Sequence, residues 1–380
     1  MLVKIITRHG PSNYGSLLQS IATVRALNKL GHQAEIIDYQ RNDERGLGII
    51  RSQLMTKDKF SGPLKKLLYT IIRYPIEVFA QKRFDRMRSC WLPLTERYNS
   101  LEQLNKIEAD AFMTGSDQVW GPTMSGNYDP AYFLSFVDEK TIKIAYAASF
   151  GKTNFSEVIS GEYKKLLGRY YKIAVREDTA VEIIKSWNLD NCIGQVLDPT
   201  LLLSAEEWGD VFDLQKKKRF KESGDYILVY YIHGYPEHIA YAKGLAKKTK
   251  RKILCVNPFL HKAIKGTQFV CCPDVSHFLS LIQNASFMIT DSFHGTCFAI
   301  NMNKQFVELL PLNNTSTRNQ SLLSFTGLTN RIVTDYNDFE WENRIIDYKP
   351  VNEILQKARV ESFSKIKTLL DNSLYESTLD

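Results

Sequence analysis

Hydrophobic positions along this chain fall into two kinds of segment: short unbroken apolar runs, and longer stretches at helical spacing. Leu2–Thr7 is a run of the first kind and predicts a buried strand. Ser16–Leu30 carries Leu17, Leu18, Ile21, Val24, Leu27 and Leu30 at helical spacing, and Gly31 is a stop signal after it. Ala34–Tyr39 predicts the next strand. A strand, a loop, a helix and a strand in that order imply a parallel, doubly wound sheet. Ala111–Thr114, Ile142–Ala147 and Lys172–Val175 predict three more strands, each followed by a polar or glycine-bearing loop.

A second series starts at Tyr226–Tyr231, after a linker from about Asp198 to Asp225 that holds Pro199 and the run Lys216-Lys217-Lys218-Arg219. It reads as helix Ile239–Lys250, strand Lys252–Val256, helix Val275–Asn284 and strand Phe287–Thr290. A short helix Cys297–Met302, a strand Phe306–Leu310 and a final amphipathic helix Val351–Leu370 follow. The expected fold class is α/β: two Rossmann-like domains facing a cleft, as in GT-B-type transferases, with the C-terminal helix packing back on the first domain. The expected division is 1–197, 198–345 and a returning helix in 346–380. A length of 380 residues is too much for one ordinary core and agrees with two domains.

One segment breaks the pattern. From about 46 to 94 the chain is basic and amphipathic, with Leu64, Leu67, Leu68, Ile71, Ile72, Ile76, Val78 and Phe79, and predicts one or two helices inserted in the first domain. The net charge of +7 is concentrated there: Arg45–Cys90 holds eleven Lys/Arg against three Asp/Glu, a local +8 that leaves −1 elsewhere. The excess is therefore local, and no zinc-finger or RNA-binding motif accompanies it, so nucleic acid is not an expected partner. It suits either a solvated helical face or contact with anionic lipid headgroups at the inner face of a cell membrane.

The N-terminus opens on a strand pattern rather than a secretory signal, and no apolar run reaches the length of a membrane span. The six cysteines are scattered and form no C-x-x-C pair, which favours reduced thiols in a cytoplasmic protein over disulfides or zinc. No metal or nicotinamide ligand set is visible, so no cofactor is expected.

Five segments carry residues suited to chemistry. Asp291-Ser292-Phe293-His294-Gly295-Thr296 lies where a buried strand meets a helix. There His294 could exchange a proton near neutral pH, and Gly295 could let a ligand approach the backbone. The same residues also suit a capped helix start with a packed histidine. Asn13, Gly15 and their neighbours precede the first helix and fit either an anion site or a plain capped turn. Their sequence is not G-x-G-x-x-G, so a dinucleotide is not indicated. Ser116, Asp117, Gln118 and Trp120 place hydroxyl, carboxylate, amide and indole in one loop, as sugar binding uses, or form a turn with the indole in the core. Arg176 and Arg318 are candidate clamps for a carboxylate or phosphate, against the commoner fate of an ion pair or a solvated charge.

Taken in order, these segments resemble the polysaccharide pyruvyl transferase family. The matching stretches are Asn13-Tyr14-Gly15 with Leu18-Gln19, Gly115–Trp120, Ala145–Gly151, Val175-Arg176-Glu177, Leu197–Leu202 and Thr290–Thr296. Arg318 with Ser321-Leu322-Leu323 and Gly327-Leu328 completes them. The resemblance implies phosphoenolpyruvate as donor, a sugar acceptor in a growing surface polysaccharide or its lipid-linked precursor, and His294 as the catalytic residue. It implies donor-binding roles for Arg176, Arg318, Ser292, Gly295, Thr296, Asn13 and Gly15, and acceptor-binding roles for Ser116, Asp117, Gln118 and Trp120. Some members have an arginine two residues before the histidine; this chain has Ser292, so an arginine from elsewhere must supply that charge. The competing reading is a GT-B glycosyltransferase with a nucleotide-sugar donor.

Overall fold

The computed structural model describes residues 1–55, 62–123, 126–214, 225–311, 316–341 and 343–371. Two compact units form: Met1–Leu202 together with the chain from Ala358 onward, and Leu203–Lys357.

The first unit is built on seven strands: β1 (Leu2–Ile6), β2 (Gln33–Tyr39), β3 (Leu94–Tyr98), β4 (Ala111–Thr114), β5 (Ile142–Ala148), β6 (Lys172–Val175) and β7 (Cys192–Gln195). Their order is β3-β2-β1-β4-β5-β6-β7, and every neighbouring pair is parallel. The helices are α1 (Tyr14–Lys29), α2 (Gly46–Met55), α3 (Pro63–Trp91), α4 (Leu101–Leu104), α5 (Glu157–Leu167), α6 (Asp178–Ser186) and α7 (Pro199–Leu202). Central strands such as β4 and β5 are buried along their whole length, which explains their unbroken apolar runs. Beside them an aromatic core gathers Trp120, Tyr132, Phe133, Phe150 and Tyr163.

The second unit holds α8 (Ala205–Phe212), β8 (Tyr226–Tyr230), α9 (Pro236–Thr249), β9 (Lys252–Asn257), β10 (Gln268–Cys271), α10 (Val275–Asn284), β11 (Phe287–Thr290), α11 (Phe293–Asn301), β12 (Phe306–Glu308) and α12 (Ser316–Phe325). Its five strands run β10-β9-β8-β11-β12, again all parallel. The last helix, α13 (Tyr348–Leu369), begins in this unit and ends in the first. Its later turns join the first unit through Ser362 Oγ, which accepts from the Leu197 amide (3.1 Å), and Lys365 Nζ, which donates to the Gln195 carbonyl (2.8 Å).

Among the described residues the insert holds two helices, α2 and α3. The supposed linker after Asp198 is partly helical: α7 and α8 lie there, and α8 starts with a reciprocal cap between Ser204 and Glu207. The run Lys216–Arg219 and the loop residues Asn313-Asn314-Thr315 lie outside the described residues. The short edge strands β3, β7 and β10 carry no long apolar run and escaped the hydrophobic pattern.

Candidate functional site

In an open parallel sheet, ligands collect at strand carboxyl ends where the winding direction reverses. The two sheets reverse between β1 and β4 and between β8 and β11. The motifs singled out from the sequence sit at these two places.

At the first reversal the loops after β1, β4, β5 and β6 are tied into one buried polar network. Thr7 Oγ1 donates to the Ser116 carbonyl (2.7 Å), and Gln19 Nε2 donates to Thr7 Oγ1 (2.9 Å). Ser16 Oγ donates to Asp117 Oδ2 (2.8 Å). Asp117 adopts φ +81°, an uncommon backbone for a residue other than glycine, and bridges to Ala148 of β5. Gly151 takes φ +68°, and a side chain there would strike the Gln118 amide. The Gly115–Trp120 and Ala145–Gly151 motifs thus hold one another.

The expected ligand-binding groups of this loop cluster have local partners. Asn13 is the N-cap of α1, accepting from Gly15 N (2.8 Å) and Ser16 N (3.4 Å). Trp120, expected to cover a sugar ring, is instead fully buried, with its Nε1–H donated to the Tyr132 carbonyl (3.2 Å) and rings of Phe133, Phe150 and Tyr170 around it. Arg176, expected as a donor clamp, is buried between carboxylates: Nε to Glu177 Oε1 is 2.9 Å and Nη1 to Asp198 Oδ2 is 3.0 Å. Burial opposes its charge, but Glu177, Asp198 and Asp117 outweigh that and hold the guanidinium above its ordinary pKa. Ser116 Oγ donates to the same Asp198 oxygen (3.1 Å).

At the second reversal β11 delivers Asp291, Ser292 and the first turn of α11. Asp291 accepts three backbone amides from the loop after β8: Ile232 (2.6 Å), His233 (3.1 Å) and Gly234 (3.1 Å). Lys262, after β9, donates to the Ile232 (3.1 Å) and His233 (2.8 Å) carbonyls of the same loop. Ser292 caps α11 by accepting from Gly295 N (3.2 Å). Gly295 is required by packing: a Cβ there would lie 2.3 Å from Thr290 Oγ1 and 3.1 Å from Tyr230. Thus its missing side chain makes room for protein rather than for a ligand. Thr296 Oγ1 donates to the Ser292 carbonyl (3.0 Å) and also meets Glu308 of β12.

His294 stands in the first turn of α11, edge-on to Phe293 (5.2 Å between centroids). Arg318, the charge sought in place of an arginine at 292, lies over the same Phe293 ring, its guanidinium 5.7 Å from the centroid. Its helix is anchored next door, where Asn319 bonds Glu308. The His233 imidazole titrates below its ordinary value, first because it is buried, with Lys262 and Arg318 adding to the effect against the pull of Asp291. Asp291, His233, Lys262, Arg318 and His294 therefore share one end of the sheet. His233 and Lys262 were not singled out from the sequence, although both follow strands of the second series. Among the described residues no group of three or more His, Cys, Asp or Glu is placed to hold a metal, and no helix is long and apolar enough to cross a membrane.

Two parallel sheets with helices, and polar loops at both reversals, define a GT-B-like α/β protein. Solved structures with this fold include UDP-GlcNAc 2-epimerase from Neisseria meningitidis bound to UDP-GlcNAc (13% identity, 97% of this chain and 99% of that one, TM-score 0.53). The corresponding epimerase from Methanocaldococcus jannaschii, in complex with UDP-GlcNAc and UDP, is similar (14% identity, 97% and 99% coverage, TM-score 0.51). At such identities the likeness is one of fold alone. No curated protein matches the chain. The sequence model of the polysaccharide pyruvyl transferase family matches residues 13–311, and the chain belongs to that family.

Proposed function

We propose that this transferase moves the pyruvyl group of phosphoenolpyruvate onto two hydroxyls of one sugar, forming a ketal on a surface polysaccharide or its lipid-linked precursor. The observation that carries this reading is the grouping of His294 with Arg318, Lys262 and His233 at one strand reversal, in a chain of this family. The donor bears a carboxylate and a phosphate, and Arg318 with Lys262 supplies matching positive charge.

In the proposed reaction His294 delivers a proton to the methylene carbon of the enol. The neighbouring carbon becomes electrophilic, one sugar hydroxyl adds, phosphate departs and the second hydroxyl closes the ring. Of the two hydroxyl protons, one is balanced by the new methyl hydrogen and the other leaves with phosphate. Fixed cations stabilise the charge that develops on the departing group. Within the first unit, the network around Asp117 and Gln118 is the candidate for binding acceptor sugar, with Trp120 supporting it from the core rather than touching sugar.

The test is to incubate the purified chain with phosphoenolpyruvate and a glycan stripped of ketals by mild acid. One phosphate released per ketal gained, with His294→Gln slower by about 10²–10⁴-fold, is the expected result. Consumption of a nucleotide sugar with release of a nucleotide, and none of phosphoenolpyruvate, would favour the glycosyltransferase reading instead.

A further inference from the structure

The first half of α3 is inside out. Its buried positions there are Arg73 and Glu77, paired at 2.6 Å, while Leu64, Leu67, Leu68, Ile71 and Ile72 face outward, each between 56% and 78% exposed; only the second half buries apolar residues, Ala80, Phe84 and Met87. Those five positions follow i, i+3, i+4, i+7, i+8 and form one continuous stripe. An exposed ridge of this kind has a cost in water that a solvated helix avoids by using polar residues. The neighbouring helix does not cover it. α2 meets α3 through polar contacts on a different face, with Tyr69 Oη donating to Gln53 Oε1 (2.7 Å) and Gln81 Oε1 accepting from the Gly46 amide (3.2 Å).

Farther along the helix, past Pro75, the exposed positions change from apolar to basic: Lys82 and Arg86 are both exposed. The Arg83 guanidinium stands 5.8 Å over the Phe79 ring between the two zones. Lys65 and Lys66 flank the start of the ridge, and the segment Arg45–Cys90 as a whole carries +8.

From this arrangement we propose that the outward face of α3 seats on an anionic lipid bilayer, its leucine and isoleucine ridge entering the acyl boundary and its lysines and arginines pairing with headgroup phosphates. An apolar stripe with a basic border is the pattern that such a surface selects. A second copy of the chain is disfavoured as occupant, because stacking two such faces would bring two concentrated positive charges together. The inference does not depend on the identity of the donor.

Vesicle sedimentation with the full-length chain tests it. Vesicles of phosphatidylcholine with phosphatidylglycerol are expected to carry down the protein, and pure phosphatidylcholine vesicles to retain at least tenfold less. Leu68→Gln with Ile71→Gln, which leaves charge and exposed helix unchanged, is expected to lower partitioning at least tenfold with an unaltered circular dichroism spectrum. Lys82→Gln with Arg86→Gln is expected to weaken binding and flatten its dependence on salt. No sedimentation at low salt would overturn the proposal, as would binding indifferent to the leucine–isoleucine pair. Lipid-free dimers that the same pair converts to monomers, without vesicle binding, would assign the ridge to a second copy and overturn it equally.

Discussion

Glu308 is a buried carboxylic residue of the second unit whose titration is strongly displaced. It ends β12 and is fully buried, with Thr296 and Asn319 as partners. Burial raises its carboxyl from an ordinary 4.5 to about 8, against the smaller opposing pull of those two hydrogen bonds. The sign for stability follows. Between 4.5 and 8 the folded chain keeps a proton that the unfolded chain has released, so stability declines as pH rises through that window. Glu308→Gln keeps the shape and stays neutral. Its thermal midpoint is expected to depend less on pH than the parent's from about 5 to 8 and to exceed it at the upper end, as read by calorimetry across buffers. Equal slopes for the two proteins would exclude this account.

Helix starts account for one polar residue in each of the two motif loops. Asn13 caps α1 and Ser292 caps α11, and each bond satisfies an amide that the first turn leaves without an internal acceptor. Asn13→Ala is therefore expected to cost about 1 kcal/mol, measured by urea unfolding, while Asn13→Ser retains most of that stability. If Asn13 also binds donor, Asn13→Ser will raise KM without lowering stability; an unchanged KM would leave it a cap alone. These caps were legible in the sequence as one of two open readings, because a short polar side chain before a helix serves a cap and an anion site equally well. Trp120 was not separable either: a glycine-serine-aspartate loop with an indole is the same string whether the ring faces solvent or the aromatic core.

Over the whole molecule, the returning helix α13 contributes Ile366 and Leu369 to the first unit's buried set. Arg359 Nε donates to the Leu201 carbonyl (2.8 Å) and fixes where the return begins. Ile366→Ala is expected to destabilise by about 2–4 kcal/mol in denaturant unfolding, since a buried isoleucine leaves a cavity, and a loss below about 0.5 kcal/mol would show that the helix docks weakly. The long strands, the large amphipathic helices and the order of the family motifs were determined by sequence alone, because apolar periodicity and residue identity are local properties. Tertiary structure decided the rest. It placed Arg176 between two carboxylates and Arg318 beside Phe293, brought Lys262 and His233 to the loop held by Asp291, and turned the leucines and isoleucines of the first half of α3 outward. Apart from the adjacent Glu177, which the sequence already offered as an ion-pair partner, these depend on strand order and on which helix face meets the sheet, and such partners lie more than twenty residues apart, where no local pattern registers them.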